Sequence, residues 1–236
     1  MISLLKRLYH RLPHDHPIAG RLRSCLYHLW IKTRSTEQVF SGIHKNRAWD
    51  NPESLSGPGS TLAATENLRR ELPALFKKFE IKSMLDAPCG DFHWMSQVDL
   101  SGLDYTGGDI VPALIKENQT KHGAAGCRFM QLDLLTSDLP EADLLLCRDC
   151  LIHLSFGDIR RLLANVKRSS IRWVLFSTYP LLDKNEDNYT GGCRPVNLEA
   201  APFSLSQPLL RIDDGGDRQH DTFRQMALWD AAMISS

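Results

Sequence analysis

Between residues 82 and 178 the chain repeats one pattern, and this limits its fold more than any other feature. Short apolar runs at 83–87, 105–108, 127–132 and 142–147 end at Asp86, at Asp109, at Asp133 and at the pair Arg148–Asp149. Stretches with helical periodicity at 112–122 and 158–168 separate them, and a fifth apolar run follows at 172–177. Strands alternating with helices imply βαβ units and a parallel sheet. Right-handed crossovers then bring the strand tips to one edge, where open α/β sheets bind their ligands. Two further strands are expected at 209–213 and 225–229, as a closing pair with one member antiparallel. The fold class is therefore α/β: a doubly wound, mostly parallel seven-stranded sheet with helices on both faces and a helical N-terminal appendage.

The stretch 51–60 (NPESLSGPGS) reads as a loop and divides the appendage, 1–50, from the catalytic-type domain, 51–236. A helix is expected over 61–79, capped by Ser60 or Thr61 and bent or split by Pro73. Two short helices are expected within residues 1–35. Seven basic residues against Asp15 alone leave residues 1–34 at +6, which suits a solvated helix surface or contact with an anionic surface. The core carries no basic stripe interleaved with aromatics, so a nucleic-acid partner is not expected there. Six scattered cysteines fit a reducing, cytoplasmic setting, and a lone Cys147-x-x-Cys150 lacks the second ligand pair of a zinc site, so no metal is expected. No apolar run approaches the length that spans a bilayer, and no secretory signal is evident.

Four aspartates facing one crevice repel one another unless the ligand offsets their charge. A triphosphate would add to that repulsion, whereas a ligand with hydroxyls, amines and a positive centre would relieve it. The first turn, LDAPCGDFHWM (85–95), is neither G-x-G-x-x-G nor a phosphate loop. It suits a cationic amino-acid end better than a pyrophosphate. Asp109, at the second tip, is placed to hold the hydroxyls of a ribose, as in dinucleotide folds. Asp133 is placed to accept from the exocyclic amine of adenine.

The ordered segments DAPCGD, YTGGD, FMQLDLL, LLLCRDCLIHLS and WVLFSTY resemble those of class I S-adenosylmethionine-dependent methyltransferases. The resemblance covers about residues 59–180. It looks closest to a bacterial subgroup that adds an upstream GxGS-T segment (57–61) and a later GG-x-RP-x-N-L segment (191–198). It implies a Rossmann-like methyltransferase fold with S-adenosylmethionine as cofactor. Asp86, Pro88, Gly90 and Asp91 would cradle the methionine end. Asp109 would bind the ribose, Asp133 and Leu134 the adenine, and Arg148 would lie beside the methionine moiety. Pro88-Cys89 departs from the broader pattern, which often has glycines there.

For the methyl acceptor, an O, N or C nucleophile on a small molecule or glycan is expected. Asp149 and His153 form the one acid–base pair in reach of the fourth tip, although a histidine in LIHLS is more often structural. Tyr179 and Arg194 are candidates for contacting the acceptor, the alternative for Arg194 being a hydrogen bond to loop backbone. Two other functions fit parts of the pattern: a module that binds the cofactor without turnover, and a nicotinamide-dependent oxidoreductase, which the missing G-x-G-x-x-G disfavours.

Overall fold

The structure, a computed structural model, describes residues 33–49, 51–216 and 222–234. Residues 1–32, with nearly all of the expected basic arm and its helices, lie outside the described residues. Seven strands form one sheet. They are β1 (Ser83–Asp86), β2 (Asp104–Asp109), β3 (Arg128–Gln131), β4 (Leu144–Cys147), β5 (Trp173–Thr178), β6 (Leu210–Asp213) and β7 (Gln225–Asp230). Their order is β3-β2-β1-β4-β5-β7-β6. All pairings from β3 across to β5 are parallel, and β7 runs antiparallel to both β5 and β6. The chain winds outward from β1 through β2 to β3, then returns to β4 on the other side. The tips of β1 and β4 therefore flank the switch point where such sheets take ligands.

Side-chain alternation along the strands divides the core in two. Leu85, Leu145, Val174 and Phe176 point to one face, where Ile159, Leu162, Leu163 and Val166 of helix α4 (Phe156–Arg168) cover them. Met84, Leu144, Leu146 and Leu175 point to the other. There Leu68, Leu72, Leu75 and Phe76 of helix α2 (Glu66–Lys78) and Ile115 of helix α3 (Pro112–His122) cover them. At the edge away from the tips, Asp143 accepts hydrogen bonds from the Lys82 and Ser83 amides at 2.8 and 2.9 Å, stapling β1 to the start of β4.

Helix α2 differs from its sequence expectation at both ends of the argument. It starts at Glu66 rather than 61, because Thr61 stays extended and the cap position is Thr65. It also runs unbroken through Pro73, held by the four large residues it buries on either side of the proline. Helix α1 (Thr36–Lys45) lies in the expected helical appendage but beyond the two helices placed within residues 1–35, and Ser35 and Gln38 form the capping box that marks its start. The irregular stretch after β5 is tied down from within. Asn185 Nδ2 donates to the Asn197 and Ala201 carbonyls, and the Leu198 amide donates to Thr178 Oγ1.

Candidate functional site

A cavity of about 570 Å³ opens at the tips of β1, β2, β3 and β4, within the size range of small-molecule sites. Asp86, Pro88, Gly90, Asp91, Asp109 and Asp133 line it. Leu134, Arg148, Asp149 and His153 line it as well. Ten of the twelve residues expected at the site thus share one cavity, whereas Tyr179 and Arg194 are not among its lining residues.

The turn after β1 is held by its neighbours rather than by itself. The Gly90 amide donates to Asp109 Oδ2 at 3.0 Å, and the Val111 amide to Asp109 Oδ1 at 2.9 Å. The Cys89 amide reaches the Gly108 carbonyl at 2.8 Å, and Asn118 of α3 donates to the Gly90 carbonyl at 2.8 Å. Glycines in β2 allow this closeness: a Cβ on Gly107 would lie 3.2 Å from Cys89 Cβ in the turn and 2.7 Å from Phe129 Cδ1 on β3. Asp86 is 2 % exposed and accepts from the Tyr105 hydroxyl at 2.7 Å. Burial pushes Asp86 up to about 7, against the pull of that hydrogen bond. Burial likewise pushes Asp109 up to about 6, opposed by the amides of Val111 and Gly90. Both carboxyls therefore titrate near neutrality with no cation beside them strong enough to prevent it.

Asp91 is engaged differently from its expectation. Its carboxylate accepts from Ser54 Oγ (2.9 Å), the Leu55 amide (2.7 Å) and Ser56 Oγ (3.1 Å), so it clamps the upstream loop over the turn. Gly90 sits under this clamp at φ +54°, and a Cβ there would collide with Ser56 Oγ. Gly90→Ala is accordingly expected to cost about 1–3 kcal/mol of stability through backbone strain and overpacking. A thermal unfolding scan of the variant checks this. The Asp133 carboxylate forms its own turn, accepting from the Leu135 amide and Thr136 Oγ1, both at 2.9 Å.

At the tip of β4 lies an alternating charge network that the sequence reading did not foresee. Arg148 grips Asp214 with two bonds, at 2.8 and 3.1 Å, and its guanidinium lies 5.5 Å from the Trp94 ring centroid. Arg224 reaches Asp214 Oδ2 at 2.9 Å and Asp149 Oδ2 at 2.7 Å. Arg148 completes the set at 3.4 Å from the same Asp149 oxygen. Arg148 lines the cavity with its guanidinium already paired to Asp214. One expectation is corrected here. Asp149, expected to pair with His153 in acid–base work, is instead engaged by the guanidinium groups of Arg148 and Arg224. Asp214 and Arg224 lie 66 and 76 positions beyond Arg148, and only the closing strand pair brings them to it.

Arg194 takes the second of the two roles expected for it, the bond to loop backbone. Its guanidinium donates to the carbonyls of Leu151, Ile152, Leu154 and Glu186, at 2.6–3.0 Å, and crosses the Phe156 ring. It fixes the loop after β4 rather than contacting an acceptor. The Tyr179 hydroxyl meets Arg224, and burial pushes it up to about 12. His153 remains on the cavity wall. Its Nδ1 lies 2.7 Å from the Gly192 carbonyl, and its ring stacks on Trp49 at 4.4 Å between centroids. Trp49 and α1 thus form part of the wall, which was not anticipated. Among the described residues no cluster of three or more His, Cys, Asp or Glu is arranged to hold a metal ion. No described helix is long and apolar enough to cross a membrane.

No family model matches the sequence, and no curated protein matches it either. Solved structures do match. Human N-acetylserotonin methyltransferase, in complex with S-adenosylmethionine, is 15% identical with a TM-score of 0.57, the match covering 96% of this chain and 65% of that one. Magnesium protoporphyrin IX methyltransferase from Synechocystis PCC 6803, with bound S-adenosylmethionine, is 12% identical with a TM-score of 0.55, covering 83% and 97%. The methyltransferase domain of bacterial CtHen1 is 14% identical with a TM-score of 0.52, covering 71% and 99%. At these identities the likeness is one of architecture, down to a seven-stranded, mostly parallel sheet. The chain has the Rossmann-like fold of S-adenosylmethionine-dependent methyltransferases.

Proposed function

We propose that this chain binds S-adenosylmethionine in the cavity and transfers its methyl group to an O, N or C nucleophile of a small molecule. One observation carries this reading: two buried carboxyls, Asp86 and Asp109, face a cavity at the switch point of a fold whose solved neighbours include complexes with that cofactor.

The residues suit the cofactor's chemistry. Asp86 Oδ1 has no hydrogen-bond partner among the described residues, and burial holds the group partly protonated, so a cationic amine there would restore its charge. Each Asp109 oxygen spends one lone pair on a backbone amide and keeps another for a ribose hydroxyl. Ile110, Val111, Leu132 and Leu134 offer apolar walls for a flat base beside Asp133. When bound, S-adenosylmethionine supplies an electrophilic methyl on a sulfonium. The chain's task is then to hold donor and acceptor in line and keep water out, since alignment supplies most of the rate. Asp109 ties the first turn to β2 while it grips the ligand, so the turn and the ribose are positioned by one group.

The titration of these carboxyls gives a prediction. Their folded pKa values lie above the unfolded value, so the empty protein holds protons that the unfolded chain has lost. This contribution to stability is present at low pH and is lost as pH rises through 6 to 7. A cationic ligand selects the ionised form. Its affinity is therefore expected to rise at least about tenfold between about pH 5.5 and pH 7, with proton release on binding. Calorimetry in two buffers of different ionisation heat measures both effects, and a flat profile would count against Asp86 as the ammonium partner. The function itself is tested by release of S-adenosylhomocysteine across an acceptor panel. The reading expects cofactor-dependent turnover of at least one small molecule, and binding without any turnover would favour a non-catalytic module.

A further inference from the structure

Beyond the aspartates, the cavity wall includes Phe40 and Ile43 of α1, Trp49, Pro58 and Gly59, and the short turn carrying His153. Phe40 and Trp49 form a tilted aromatic pair 6.1 Å apart, and Trp49 stacks on the His153 ring. The rings of Phe40 and Trp49 thus give this wall a flat apolar surface. Within it, His153 has a defined chemical state. A carbonyl oxygen only accepts, so Nδ1 facing Gly192 carries a proton. In the neutral ring the lone pair then sits on Nε2, which has no partner among the described residues. Burial lowers the pKa of His153, with Arg194 acting in the same sense and Asp149 and the Gly192 carbonyl against it. His44, Arg47, Cys150, Cys193 and Arg224 are the other titratable or charged groups on this side of the cavity.

We propose that His153 is the general base of the transfer, taking the proton of a hydroxyl carried on a flat apolar acceptor seated against Trp49. This rests on the methyltransferase reading above and narrows it to O-methylation. An ammonium acceptor would want a free carboxylate here, but Asp149 is already bound by Arg148 and Arg224. A carboxylate acceptor needs no base and would meet guanidinium groups already paired with Asp149 and Asp214. A hydroxyl arrives neutral and must lose its proton, which matches a neutral imidazole with an open Nε2. In the step, the acceptor oxygen forms a bond to the methyl carbon and the carbon–sulfur bond breaks. Its electron pair stays on sulfur and cancels the sulfonium charge, and the hydroxyl proton passes to Nε2.

The test uses the wild-type chain, labelled with 15N-histidine and saturated with S-adenosylhomocysteine. 4-Methylphenol is the probe, with 4-methylbenzoate and 4-methylbenzylammonium as charged isosteres. The expected result is an Nδ1–H tautomer at neutral pH and a shift of the His153 Nε2 resonance on adding 4-methylphenol. The charged isosteres should bind at least about tenfold more weakly, because seating a charge against the Trp49 face strips its hydration. Trp49→Ala should weaken 4-methylphenol by up to about tenfold. A proton on Nε2, no Nε2 shift with the phenol, or equal binding of a charged isostere would overturn the proposal. Failure of S-adenosylhomocysteine to bind would instead be the failure of the cofactor reading, and calorimetry separates the two before any probe is added.

Discussion

Asp109→Ala is expected to weaken S-adenosylmethionine binding by about 1.5–3 kcal/mol, or roughly ten- to a hundredfold. Two losses combine. The proposed charge-assisted bonds to the ribose would disappear, and the first turn loses its anchor, because the Gly90 amide no longer has an acceptor at the tip of β2. The Val111 amide at the start of α3 is orphaned as well. Unpaired buried donors cost about 1–3 kcal/mol each, so the variant should also melt earlier. Calorimetry and a melting curve on the same sample separate the effects. A variant that melts earlier yet binds as tightly as wild type would confine Asp109 to a structural role.

The largest loss of stability is expected at Asp214, whose side chain is fully buried between two guanidinium groups. Asp214→Ala leaves Arg148 and Arg224 facing each other with Asp149 alone to offset them. Removing one partner of a buried ion network typically costs about 3–5 kcal/mol. For a chain of this size that corresponds to a fall of roughly 6–20 °C in melting temperature. The double replacement Arg148→Met with Asp214→Leu removes a charge of each sign and should recover part of the loss, since an apolar pair leaves fewer buried charges unpaired. A single variant that melts within about a degree of wild type would show that water reaches the network and screens it.

The strand tips were legible because each depends on local pattern. An apolar run of four to six residues ending in Asp86, Asp109 or Asp133 is a signal carried by adjacent residues, and the sheet order follows from few topological rules. Side-chain assignments that depend on distant partners were not legible. Arg148 looks like a ligand residue in LCRDC until Asp214 is brought to it by β6 and β7. Arg194 in GGCRPVNL fits an acceptor contact or loop backbone equally until the carbonyls after β4 are seen around it. Asp91 looks like a second cradle residue until the 54–56 loop folds over it. The contribution of Trp49 was hidden for another reason: helix α1 was read as appendage, although the Ser35–Gln38 box announced it. Pro73 shows the reverse case, a local rule overridden because Leu68, Leu72, Leu75 and Phe76 hold the helix on the sheet.

Calorimetric titration of the wild-type chain with S-adenosylmethionine near neutral pH tests whether the cavity at the tips of β1 to β4 holds that cofactor, as proposed. One site is expected, with a dissociation constant in about the micromolar range. Folded wild-type protein that shows no binding heat at about millimolar cofactor, at two temperatures, would contradict the proposal.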